Sequence, residues 1–103
     1  MMDSIKYKVS VIINSYNGRG FIADCIKSVL NQTYDNFEII IWDNKSTDNT
    51  YEIINKFNDP RIKYYYSSSF DNLPTARNKA IKKSSTNFIA ILDVDDKWNK
   101  DKL

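Results

Sequence analysis

Asp93, Asp95 and Asp96 fall within four consecutive positions, and the apolar run Phe88-Ile89-Ala90-Ile91-Leu92 leads straight into them. Clustered carboxylates repel one another and raise each other's pKa unless a positive partner neutralises them. A hard divalent cation with oxygen ligands is the natural partner, and Mg²⁺ in particular shares carboxylates with substrate phosphates. The plain alternative is a solvated acidic turn that caps whatever follows. The chain contains no histidine, which removes Ser-His-Asp hydrolysis, Cys-His catalysis and every histidine-based metal site. The single cysteine, Cys25, allows no internal disulfide and suits a reducing compartment. It falls in an apolar helical stripe, so it reads as buried filler rather than a nucleophile. Chemistry is left to carboxylates and amides.

These acids need a rigid platform. The apolar run before them reads as a strand buried on both faces, as in a parallel sheet. The acids then sit past its C-terminal end, where open α/β sheets bind ligands. Upstream, Val9-Ser10-Val11-Ile12-Ile13 is a first buried strand that ends in the turn-forming segment Asn14-Ser15-Tyr16-Asn17-Gly18-Arg19-Gly20. Phe21, Ile22, Cys25, Ile26, Val29 and Leu30 recur at helical spacing. Phe37-Glu38-Ile39-Ile40-Ile41-Trp42 is a second strand running into Asp43. Ser46 or Thr47 is expected to cap a short helix whose apolar face is Ile53, Ile54 and Phe57, with Asp48 in its first turn. Pro60 follows the helix and stops it. Arg61 to Tyr66 alternates at first, as a half-exposed edge strand does. A polar loop from Ser67 to Asn72 leads to a third helix with Pro74 near its start.

At 103 residues this is one small domain or part of a larger one. Its 42% hydrophobic and 27% charged residues are ordinary for a globular chain. A net charge of +2 is too small to argue for nucleic acid or an acidic membrane. No N-terminal apolar run qualifies as a signal peptide or a membrane span. The order β-α-β-α-β-α-β with short connections implies an α/β fold, an open parallel sheet with right-handed crossovers. If the fourth strand returns to the far side of the first, the strand order is 3-2-1-4 and a crevice opens between strands one and four. That arrangement sets Asn14 to Asn17 beside Asp93 to Asp96, with Asp43 one strand away.

The segments that carry these residues resemble the successive motifs of family 2 glycosyltransferases. They are residues 9–17, 28–34, 37–44, 46–50, 76–81 and 92–98, in the family's order and spacing over nearly the whole chain. The resemblance implies the Rossmann-like GT-A fold, with helices on both faces of the sheet. It places Asn14 and Tyr16 in the loop that holds the nucleotide base and ribose. It makes Asp43 the acceptor of a hydrogen bond from the base, commonly uracil, which suits an acceptor-only carboxylate. It sets Arg77 near the diphosphate, where a guanidinium forks to phosphate oxygens; a surface cation is the plain alternative. Asp93 and Asp95 match the D-x-D motif, the first contacting ribose or metal-bound water and the second ligating Mn²⁺ or Mg²⁺. Asp96 supports them from behind, and Trp98 is a hydrophobic lid or core contact.

The implied donor is a nucleotide sugar, commonly a UDP-sugar. The implied reaction is inverting transfer to a saccharide or lipid-linked acceptor. The catalytic base and acceptor site of similar enzymes lie downstream of the D-x-D motif, so they are expected beyond Leu103. Residues 1–103 would then be the N-terminal nucleotide-binding part of the domain, without its acceptor half. The uncovered edge of the last strand is expected to drive a homodimer of this piece. The resemblance also implies a cytoplasmic location, peripheral at the inner membrane face in the complete protein.

Three positions depart from the family's pattern. Proline is usual where Asn14 stands, an acid and a glycine are common where Asn44 and Lys45 stand, and the loop from Phe70 to Pro74 lacks a glycine often found there. A dinucleotide-binding domain would show G-x-G-x-x-G after the first strand, and Asn17-Gly18-Arg19-Gly20 holds only a fragment of it. A phosphoacceptor signalling domain would need acids after the first strand, where Asn14-Ser15 has none. An EF-hand loop opening at Asp93 would need glycine where Trp98 stands. The remaining rival is a nucleotide-sugar-binding module without catalysis.

Overall fold

A computed structural model describes residues 7–103. Strands β1 (Val9–Ser15), β2 (Phe37–Asp43), β3 (Ile62–Tyr66) and β4 (Phe88–Asp93) alternate with helices α1 (Ile22–Leu30), α2 (Thr50–Asn55) and α3 (Leu73–Lys82). The four strands form one sheet in the order β3-β2-β1-β4, the order expected from the sequence. All three strand pairings are parallel.

Every residue of β2 is buried, because β2 is flanked by strands on both sides and by helices on both faces. Side chains alternate between the faces. Val11, Ile13, Ile39, Ile41 and Leu92 pack beneath α1 and α2, against Ile22, Cys25, Ile26, Val29 and Ile54. Ile12, Ile40 and Trp42 pack on the opposite face beneath Ala76 and Ala80 of α3. Each fully buried Ile or Val stabilises the fold by about 1.5–3 kcal/mol relative to an exposed one. Helix α3 starts as its sequence suggests: Pro74 lies in the first turn, and the Asn72 side chain accepts a hydrogen bond from the Thr75 N–H at 2.9 Å.

Two local expectations are corrected. The Phe88–Leu92 run is not buried on both faces. Leu92 is buried, but Phe88, Ile89 and Ile91 are 48%, 38% and 41% exposed. Among the described residues β4 pairs only with β1, and α3 lies over β1 and β2 rather than over β4. The outer side of β4 is therefore an open edge, the kind of template that pairs with a further strand.

Helix α2 is not capped by Ser46 or Thr47. It begins at Thr50, with Asn49 at its N-cap and no side-chain cap. The Asp48 carboxylate accepts from the Thr50 N–H at 3.1 Å, and Ser46 is turned toward the loop after β1. Lys45, just beyond β2, adopts the left-handed region with a φ of 66°.

The N-terminal end of the sheet closes on a buried carboxylate. Glu38 is 1% exposed. It accepts from the Ser10 hydroxyl at 2.5 Å, and from the Ser85 N–H and hydroxyl at 2.8 and 3.0 Å. Lys63 stands 3.6 Å away. Burial alone would raise the Glu38 pKa, but the Ser10 and Ser85 hydrogen bonds and the Lys63 charge outweigh it and hold the carboxyl below its ordinary 4.5.

Because the folded pKa of Glu38 is depressed, its contribution is complete above the ordinary value and is lost as pH falls through the folded value. Glu38→Gln should lower stability at neutral pH by about 1–3 kcal/mol and flatten the acid limb of a urea-unfolding series; an unchanged limb contradicts the network. Lys45→Gly should raise stability by about 0.5–1 kcal/mol by removing the left-handed strain at 45. Lys45→Val should lower it, and equal midpoints for all three chains would show that no strain is stored there.

Candidate functional site

The C-terminal ends of β1, β2 and β4 lie side by side. Asn14 is in register with Trp42 on one side and Asp93 on the other, and Ser15 is in register with Asp43. In a parallel sheet such partners point to the same face, so Asn14, Trp42 and Asp93 share the α3 side.

The loops that follow are tied to one another. The Asn17 N–H donates to Ser46 Oγ at 2.8 Å, and the Thr47 N–H donates to Asn17 Oδ1 at 2.8 Å. The Arg19 N–H reaches the Asp48 carboxylate at 3.2 Å. Gly18 lets the β1 loop approach the β4 turn: a Cβ there would meet Ser15 Oγ at 2.6 Å and Val94 Cγ2 at 2.9 Å.

Beyond β4 the chain turns sharply, with the Asp96 N–H donating to the Asp93 carbonyl at 2.9 Å. The turn places Asp93 and Asp95 in one crevice of about 470 Å³ with Asn14, Tyr16 and Asn17 of the β1 loop. Arg77, on α3, stands 3.7 Å from Asp93, a charge contact too long for a hydrogen bond. Four of the residues singled out in the sequence thus line one crevice, and a fifth borders it.

Asp43 does not line this crevice. It is 1% exposed and already engaged. Its Oδ1 accepts from the Ser46 N–H at 2.8 Å and its Oδ2 accepts from the Tyr64 hydroxyl at 2.5 Å. Burial, then the bond to Asp43 and its charge, push the Tyr64 hydroxyl pKa above its ordinary 10.0. Asp96 opens into a neighbouring cavity with Asp24, Asp95 and Gly20. Trp98 packs against the core beneath α1.

Cys25 is fully buried, and its thiol is pushed up to about 12, first by burial and then by the charges of Asp96, Asp93 and Asp95. Filler, not nucleophile, is its role.

Among the described residues no three acidic, histidine or cysteine side chains are placed to hold a metal by themselves. Asp93 and Asp95 offer hard oxygen ligands, and their donor set fits a cation that completes its shell with water and phosphate oxygens, as Mg²⁺ and Mn²⁺ do. No helix among the described residues is long and apolar enough to cross a membrane.

Two residues beside the crevice, Asn44 and Phe70, were given no site role in the sequence and marked only departures from the family's pattern. Both line a second cavity of about 400 Å³ next to the first. The sequence signals are an asparagine where an acid is common and a lone aromatic residue within the polar loop from Ser67 to Asn72.

Comparison with known proteins fits this geometry. Residues 10–103 match glycosyl transferase family 2. The Escherichia coli enzyme WfgD, named a UDP-Glc:alpha-D-GlcNAc-diphosphoundecaprenol beta-1,3-glucosyltransferase, is 44% identical over 97 residues, which cover 94% of this chain and 38% of WfgD. Staphylococcus aureus TarS 1-349 in complex with UDP is similar with a TM-score of 0.85 and 32% identity, over 91% of this chain and 29% of that one. The mannosyltransferase PcManGT from Pyrobaculum calidifontis, in complex with GDP-Man and Mn²⁺, shares the fold with a TM-score of 0.86 at 21% identity, over 94% of this chain and 30% of that one. The chain spans about two fifths of the length of WfgD and of the Bacillus subtilis relative TuaG. With its sheet order, its crevice and a match from residue 10 to residue 103, the chain belongs to glycosyl transferase family 2.

Proposed function

We propose that this chain is the donor-binding part of an inverting glycosyltransferase, holding a nucleoside-diphosphate sugar, commonly a UDP-sugar, together with Mn²⁺ or Mg²⁺. The observation that carries the reading is the convergence of Asp93, Asp95, Asn14 and Tyr16 on one crevice, with Arg77 at its side.

Tyr16, half exposed at the mouth, offers an aromatic face to the base. Asp93 accepts hydrogen bonds from ribose hydroxyls or from metal-bound water. Arg77 and the cation-binding Asp95 address the diphosphate from two sides. The cation, when bound, neutralises charge that builds on the departing diphosphate. Arg77 adds a fixed positive charge at the same place, so both favour the transition state over the ground state. Asp43, at the end of the neighbouring strand, holds Ser46 and Tyr64 in place, and its oxygens keep lone pairs with which to accept from the base. The UDP complex of TarS and the UDP-sugar named for WfgD support the choice of donor. The lipid-linked acceptor in WfgD's name supports an acceptor of that class and work at the inner face of a membrane.

Titration calorimetry with UDP tests this directly. Binding should tighten about tenfold when Mn²⁺ replaces EDTA, worth ~1.4 kcal/mol. Asp95→Asn should erase that gain while leaving the metal-free affinity within about twofold. Equal affinity with and without Mn²⁺ would remove the cation from the account, and no UDP binding at all would remove the nucleotide.

A further inference from the structure

The second cavity lies between the β1 loop and the Ser67–Asn72 loop, and its lip is a pair of aromatic rings. Tyr16 and Phe70 meet edge to face, with centroids 4.7 Å apart and planes at 73°. Both are well exposed, Tyr16 at 50% and Phe70 at 61%. Two large apolar rings held together at a cavity mouth are a ready surface for another flat ring, because aromatic side chains give rigid contact area at low entropic cost. Behind the rings the cavity is lined by Asn14 and Ser15. The Asn14 side chain, on the α3 face, carries buried polar atoms with no hydrogen-bond partner among the described residues. The pocket therefore pairs an aromatic mouth with spare hydrogen-bonding capacity.

Phe70 is held in position from behind. Asn44 is 7% exposed, and its amide grips Asp71 twice. Asn44 Nδ2 donates to the Asp71 carbonyl at 2.8 Å, and the Asp71 N–H donates to Asn44 Oδ1 at 3.1 Å. Lys79 on α3 adds an ion pair to the Asp71 carboxylate at 2.6 Å. The loop also continues the sheet ladder, with the Ser67 N–H donating to the Asp43 carbonyl at 2.8 Å. The Asn44 amide both donates to and accepts from Asp71, through two separate atoms. A carboxylate at position 44 would set an acceptor against the Asp71 carbonyl and undo half of the latch.

We propose that Phe70, latched through Asp71 by Asn44, is an aromatic wall of the nucleobase pocket, which holds Tyr16 edge-on and gives the base a preset ring surface to pack against. This rests on the nucleotide reading above and deepens it. The residues that would address the diphosphate lie outside this latch, so the base should feel Phe70 and the diphosphate should not.

The test compares two probes, UDP and inorganic pyrophosphate, each with Mn²⁺, by titration calorimetry. Phe70→Ala should weaken UDP about tenfold, as loss of one stacking contact does, and leave pyrophosphate unchanged. Phe70→Tyr should restore UDP binding. Asn44→Asp should weaken UDP in the same way, and the double variant Asn44→Asp/Phe70→Ala should lose no more than Phe70→Ala alone, because the latch acts only through that ring. Phe70→Leu, which keeps apolar volume without a π face, guards against a variant that merely unfolds and should also bind UDP weakly. Unchanged UDP affinity in Phe70→Ala, or an equal loss for pyrophosphate, overturns the wall. Wild-type chain that binds pyrophosphate but not UDP overturns the nucleotide reading, and this inference with it.

Discussion

The site depends on where β4 enters the sheet. By hydrogen-bonding to β1 on the side away from β2, β4 makes β1 the point at which the sheet's connections diverge. The chain after β1 and the chain after β4 leave neighbouring strand ends in different directions, and a gap must open between them. Asn14 and Asp93 are partners across that gap. Gly18 lets the two loops pack closely against Ser15 and Val94, while Asn17, Ser46 and Thr47 tie the β1 loop to the β2 loop. The crevice is thus a rigid product of topology plus a few short side-chain contacts.

The two ends of the sheet treat charge in opposite ways. At the N-terminal end Glu38 is buried, and three hydrogen bonds with Lys63 nearby satisfy it. At the C-terminal end Asp93, Asp95 and Asp96 face outward, and their combined charge reaches Cys25 in the core, where it adds to the effect of burial on the thiol. The Asp93–Arg77 contact is long, and Trp42, Asn14 and the Arg77 Nε hold buried polar atoms without partners among the described residues. A fully satisfied end stabilises the fold. An end with surplus negative charge and spare donors is suited to a cation and an acceptor-rich ligand.

The sheet order and the crevice were legible because they follow from local signals. Apolar runs of strand length alternate with helical stripes, and short connections leave few topologies. What escaped the sequence was set by tertiary partners. The burial of Phe88–Leu92 depends on what flanks β4, and an apolar run does not reveal its neighbours. Helix α2 starts at Thr50, beyond Ser46 and Thr47, whose N–H groups are taken by Asp43 and Asn17. Asn44 stood out only as a departure from the family's pattern, since its partner Asp71 lies 27 positions away in a loop without a motif. The partners that Asp43 has within the chain, the Ser46 N–H and the Tyr64 hydroxyl, were likewise hidden, since Tyr64 lies 21 positions away on another strand.

The central claim is that one crevice, between the ends of β1 and β4, holds the diphosphate and its cation. Amide NMR spectra recorded with UDP and trace Mn²⁺ test it most directly, because the paramagnetic ion broadens signals only near its own position. The account predicts broadening at residues 14–18 and 93–96 that requires UDP, with Glu38 and Ser85 at the far end of the sheet left sharp. Broadening that is the same without UDP, or that centres on any other part of the chain, would contradict it.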